Sequence, residues 1–90
     1  MGYEYIVMTP KSLNKTKRNM PLNAKKMLEC LIKDIQNKGP VRTEYHNFSM
    51  LGKDKYHCHL AYKWVAVWRC IKDSYFVEVE YVGSREKAPY

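Results

Sequence analysis

His57 and His59 stand two residues apart in the run Tyr56-His57-Cys58-His59-Leu60, and Arg85 follows the last apolar segment of the chain. Imidazole is the side chain whose ordinary pKa lies near neutrality, so such a pair can give and take protons at cellular pH or ligate a metal. Arginine keeps its charge and can present two donors to a phosphate. The alternation across 56–60 predicts a strand with Tyr56, Cys58 and Leu60 on one face and both imidazoles on the other. Cys58 then points into the core, which removes it both as a further ligand and as a nucleophile. Taken alone, such a pair is more often a solvated polar face than a proton-transfer site, and least often half of a metal site.

The elements that must position these groups follow from periodicity. Tyr3-Glu4-Tyr5-Ile6-Val7-Met8 reads as a first strand, closed by Thr9-Pro10. Lys11 to Asn19 reads as a short, mostly solvated helix. From Pro21, the positions Ala24, Met27, Leu28, Leu31, Ile32 and Ile35 repeat at helical spacing, and Gly39-Pro40 supplies the stop. The opposite face of this second helix carries Lys25, Lys26, Lys33 and Lys38. Residues 41–54 show no sustained period and read as a loop ending in a Gly52-Lys53-Asp54 turn. Residues 64–71 are apolar on both faces, as in a central strand, with Trp64, Ala66 and Trp68 on one side. Tyr75 to Val82 alternates again, and its exposed Glu78 and Glu80 are solubilising carboxylates.

Short turns between the last three runs favour an antiparallel meander. The fold class is therefore α+β, in the order β-α-α-β-β-β, with two N-terminal helices packed on a small, largely antiparallel sheet. In a meander the first and third strands finish at the same end. That brings the tail bearing Arg85 within about two strand spacings, roughly 10 Å, of His59. Side chains converging on a phosphodiester can span such a gap.

Ninety residues suffice for a single domain spanning 1–90 and for no deep substrate cavity. An apolar fraction of 46% with 28% charged residues excludes a disordered chain. Three widely spaced cysteines do not make a disulfide framework, and no stretch reads as a leader or a membrane span, so the expected setting is the cytoplasm. Sixteen Lys and Arg against nine Asp and Glu give a net charge of +7. The excess lies in the first half, which carries Lys11, Lys15, Lys17, Arg18, Lys25 and Lys26. With Lys53, Lys55 and Lys63, these are candidate contacts for polyanion phosphates.

The order of elements, the basic paired helices, the 56–60 strand and the closing Tyr81-Val82-Gly83-Ser84-Arg85-Glu86-Lys87-Ala88-Pro89-Tyr90 together resemble the RelE/ParE toxin superfamily over nearly the whole chain. Within it, the sequence looks most like the mRNA interferases of the RelE and YafQ kind. The resemblance implies an endoribonuclease that cuts message on the ribosome without metal or other cofactor, and so inhibits translation. It implies a cognate antitoxin as protein partner, with mRNA and ribosomal RNA as nucleic-acid partners.

The same resemblance implies site residues. His59 matches a strand histidine of YafQ-like members, Arg85 matches the basic or histidine residue after the last strand, and Tyr90 matches an aromatic close to the C-terminus. His46 has a counterpart in a loop histidine. On this likeness His57 and His59 share the acid and base work, Arg85 holds the charge on the phosphate, and Tyr90 orients, protonates or stacks. His46 joins the lysines in binding RNA. Val65 stands where RelE carries an arginine, which leaves the transition-state cation to Arg85, or to Lys63 or Arg69. ParE-like members share the fold, lack such a cluster and act on gyrase without catalysis. A relative that only binds RNA or antitoxin is the remaining alternative.

Overall fold

The computed structural model describes residues 4–89; Tyr90 and the Tyr3 start of the expected first strand lie outside them. The elements are β1 (Ile6–Met8), α1 (Ser12–Asn19), α2 (Leu22–Lys38), β2 (Ser49–Gly52), β3 (Lys55–Ala61), β4 (Trp64–Cys70) and β5 (Phe76–Ser84). A single 3-10 turn, Arg85–Lys87, follows. They form one five-stranded sheet in the order β1-β5-β4-β3-β2. The β3-β4-β5 meander is antiparallel as expected, and β1 adds a parallel edge beside β5.

The helical stripe of α2 buries Ala24, Leu28, Leu31 and Ile35, at successive steps of four, three and four residues. Gly39 ends it at φ 98°, a conformation that favours glycine, with its N–H bonded to the Ile35 carbonyl at 2.8 Å. Met27, expected on this stripe, is 40% exposed at its margin. The α2 residues join Leu13 and Met20 against the inner sheet face of Tyr56, Cys58, Leu60, Ala66, Trp68, Val77, Val79 and Val82. Removing one such side chain, as in Leu28→Ala, costs about 2–5 kcal/mol.

Two departures from the sequence expectation shape the outer face. Residues 41–54 are not all loop, because Ser49–Gly52 pairs antiparallel with β3. This edge strand is short and largely exposed, so no buried face imposes an alternating pattern on it. The alternation of β5 breaks as well. Val67 pairs with Tyr81 and Trp68 with Val79, which leaves Glu80 as an extra residue. The bulge keeps Val77, Val79 and Val82 all in the core and sets Tyr81 opposite Val67 on the outer face.

No helix among the described residues is long and apolar enough to cross a membrane.

Candidate active site

The register carries the meander's consequence through: His59 pairs with Val65, and Val65 pairs with Gly83. His59 thus lies in one row with the start of the tail, and Arg85 opens the 3-10 turn just beyond it. A cleft of about 350 Å³ forms there, lined by His46, Asn47, His59, Tyr62, Lys63, Arg85 and Glu86. A larger depression of about 520 Å³ lies elsewhere, between Met8–Pro10 and Glu78–Glu80, and its lining holds no imidazole and no cation.

Backbone bonds fix the walls. The His59 N–H donates to the His46 carbonyl at 2.8 Å, tying the 42–48 loop to β3. The Arg85 N–H donates to the Lys63 carbonyl at 2.6 Å, tying the tail to the β3–β4 turn. Tyr62 reverses that turn at φ 46° and is 94% exposed. A β3–β4 irregularity between His59 and Ala61 lies immediately beside the imidazole, where bulges commonly re-aim a side chain. At the start of the tail, the Tyr81 hydroxyl donates to the Ser84 carbonyl at 2.8 Å, and the Ser84 hydroxyl accepts from the Glu86 N–H at 3.2 Å.

His59 is half-buried, with its Nδ1 3.3 Å from the Asn47 side-chain Nδ2. Its ring meets those of His46 and His57 edge-on, at centroid distances of 6.0 and 5.8 Å. Its pKa is lowered, first by desolvation and then by the charges of His57, Arg85 and His46. The ring is therefore inclined to be neutral and available to accept a proton.

His57 shares the face of His59, as alternation requires, but it does not line the cleft. It is only 8% exposed, and its Nδ1 lies 2.7 Å from the Ser49 hydroxyl of β2. Burial lowers its pKa, partly offset by a bond with the Ser49 backbone. Arg69 and Lys55 both pair with Glu80, at 3.2 and 3.1 Å, and neither lines the cleft. Of the residues put forward in place of an arginine at Val65, Arg85 and Lys63 line the cleft with His59, and Arg69 does not. Val65 itself is fully buried. Lys53 lies in the β2–β3 turn.

Lys11, Lys15, Lys17 and Arg18 belong to α1 and its N-cap, and Lys25 and Lys26 to the first turn of α2. None of the six lines the cleft. Met27 follows directly, lining a neighbouring groove that shares His46 and His59 with the cleft. Tyr90 lies outside the described residues. Among those residues no set of three His, Cys, Asp or Glu side chains is arranged to hold a metal. Asn47, Tyr62 and Ser49 carry no sequence pattern that marks them, apart from the tolerance of a loop asparagine for the left-handed turn found at Asn47.

Chemically, the cleft's lining gathers two imidazoles, a guanidinium and an ammonium, with the Glu86 carboxylate among them. No family model and no curated protein matches the sequence. Solved structures match the fold, among them these two. One is a double arginine-to-alanine mutant of the Escherichia coli toxin RelE in its free state, with TM-score 0.65, 18% identity, and coverage of 96% of this chain and 86% of that one. The other is the conserved hypothetical protein HP0892 of Helicobacter pylori, with TM-score 0.56, 21% identity, and coverage of 91% and 96%. The chain therefore has the RelE-like fold, α+β with two helices on one face of a five-stranded mixed sheet.

Proposed function

We propose that this chain is the toxin of a toxin–antitoxin pair, a metal-independent endoribonuclease that cuts message on the ribosome and is neutralised by a cognate antitoxin in the cytoplasm. The observation that carries the reading is the meeting of His59, His46, Lys63 and Arg85 at one cleft on a RelE-like fold.

The reaction needs a base, a cation and an acid. The 2'-oxygen attacks phosphorus while its proton passes to one imidazole. The bond from phosphorus to the 5'-oxygen breaks as a second proton donor supplies that oxygen. The products are a 2',3'-cyclic phosphate and a 5'-hydroxyl. We assign proton transfer to His59, with His46 as the second imidazole of the cleft, and charge stabilisation to Arg85 with Lys63. Each proton-transfer role is worth about 10² to 10⁴ in rate. His57, buried behind His59, acts on that ring rather than on RNA. The lysines of α1 and α2 hold ribosomal RNA phosphates, an interaction that weakens steeply with salt. Tyr90 is assigned to stacking on a base from the family resemblance alone.

Primer extension on messages from cells briefly expressing the chain tests this reading. Codon-phased cuts that disappear in a folded His59→Ala variant support it. Intact message with arrested growth would move a non-enzymatic target such as gyrase to the front, and intact message with normal growth would leave a chain that only binds.

A further inference from the structure

His46 and Asn47 are held out between two aromatic anchors. On one side the Tyr45 hydroxyl donates to Asp34 of α2 at 2.7 Å. On the other, Phe48 stacks on Tyr56 at 5.9 Å and tilts against Trp68 at 6.1 Å. Asn47 itself sits at φ 52°, in the left-handed region that asparagine tolerates better than most residues. The loop is thus fixed on both flanks while its tip presents one amide to one imidazole.

That amide is the side-chain hydrogen-bond partner given to the His59 ring among the described residues. The charged or titratable groups about the ring are His57 from β3, His46 from the loop, Tyr62 and Lys63 from the β3–β4 turn, and Arg85 and Glu86 from the tail, with Asp34 of α2 and Glu44 and Tyr45 of the loop across the adjoining groove. With the amide N–H donating, Nδ1 accepts, and the neutral ring carries its proton on Nε2. A half-turn of the same amide offers its oxygen instead, which suits an Nδ1–H and hence the imidazolium. Asparagine is one of the few side chains that supply both groups from one position.

We propose that Asn47 is a positioning residue for His59, holding the ring at the cleft and following its protonation by donating to bare Nδ1 and accepting from Nδ1–H. The inference rests on the reading of His59 as a proton-transfer group and names what sets its tautomer.

Two variants isolate the side chain from the backbone. Asn47→Gly removes the amide while keeping positive φ free of strain, and Asn47→Asp leaves only acceptors in place. Nitrogen chemical shifts of the His59 ring, assigned by their loss in His59→Gln, report tautomer and pKa in the isolated protein. The wild-type neutral ring is expected to carry its proton on Nε2. In Asn47→Asp the proton moves to Nδ1 and the pKa rises by about one unit or more, because a carboxylate now faces the ring. In Asn47→Gly the two tautomers mix. On ribosome-bound message the acidic limb of the cleavage profile moves up with the pKa in Asn47→Asp, and Asn47→Gly loses about tenfold in rate, less than the roughly 10² to 10⁴ of a whole proton-transfer role because the imidazole itself remains.

A His59 ring with the same tautomer and pKa in all three proteins overturns the inference, whether or not RNA is cut. A ring that responds in a protein that leaves message intact upholds the inference and removes the nuclease reading instead.

Discussion

Gly83 lies beneath the Tyr81 ring so closely that a Cβ there would come within 2.6 Å of the tyrosine hydroxyl. The same hydroxyl bonds the Ser84 carbonyl, one residue before Arg85, so the glycine allows the contact that sets the tail's direction. Gly83→Ala must push the ring away. The expected cost is about 1–3 kcal/mol, as for other overpacked sites. Urea denaturation would measure it, and an unchanged midpoint would contradict the packing described.

The loop bearing His46 depends on the bond from Tyr45 to Asp34. Tyr45→Phe keeps the ring and leaves the carboxylate short of one donor, which should lower stability by about 0.5–1.5 kcal/mol. Amide hydrogen exchange should quicken at residues 45–48, while the β4 amides keep their protection. Equal exchange in both proteins would mean that the Phe48 anchor holds the loop alone.

His57 and His59 are both held below their ordinary pKa of 6.5, chiefly by burial. The unfolded chain then binds protons at higher pH than the folded one. Stability is therefore complete above about pH 6.5 and declines as pH falls from there through the lowered folded values. Denaturation midpoints between pH 7.5 and 5 should show this decline, and His57→Gln should make it shallower even where it lowers stability throughout. A slope unchanged by the substitution would contradict the burial of His57.

The cysteines should separate by exposure. Cys30 is exposed, whereas Cys58 is fully buried and its thiol is pushed up to about 12. Iodoacetamide at neutral pH should modify Cys30 and reach Cys58 only in denaturant, since the thiolate is the reactive form. Mass spectrometry of the labelled protein would decide it, and native labelling of Cys58 at the rate of Cys30 would contradict the core assignment.

Much of this architecture is legible in the residues themselves. The spacing of Ala24, Leu28, Leu31 and Ile35 gives α2, and the alternation about Cys58 gives the common face of His57 and His59. The short turns give the meander, and with it the row from His59 through Val65 to Gly83. What periodicity cannot supply is what covers a face. His57 has Ser49 as its neighbour because β2 pairs with β3, and β2 escapes notice because four largely exposed edge residues carry no alternating pattern. The bulge at Glu80 is equally silent, since it shows only in the pairing of β5 with β4. Asn47 reaches His59 through a loop whose course depends on contacts made by Tyr45 and Phe48 with distant elements. Met27 misjudges by a different route: helical spacing locates a stripe but not its edge.

The cleft around His59 and Arg85 is proposed to cut RNA on the ribosome. Single-turnover cleavage of message bound to purified ribosomes, with naked message beside it, tests this most directly. The expected result is cutting of the ribosome-bound message alone, products ending in a 5'-hydroxyl, and a loss of at least about a hundredfold in His59→Ala or Arg85→Ala. Message left intact by the folded wild-type protein, or cut equally well by the folded His59→Ala and Arg85→Ala variants, would contradict it.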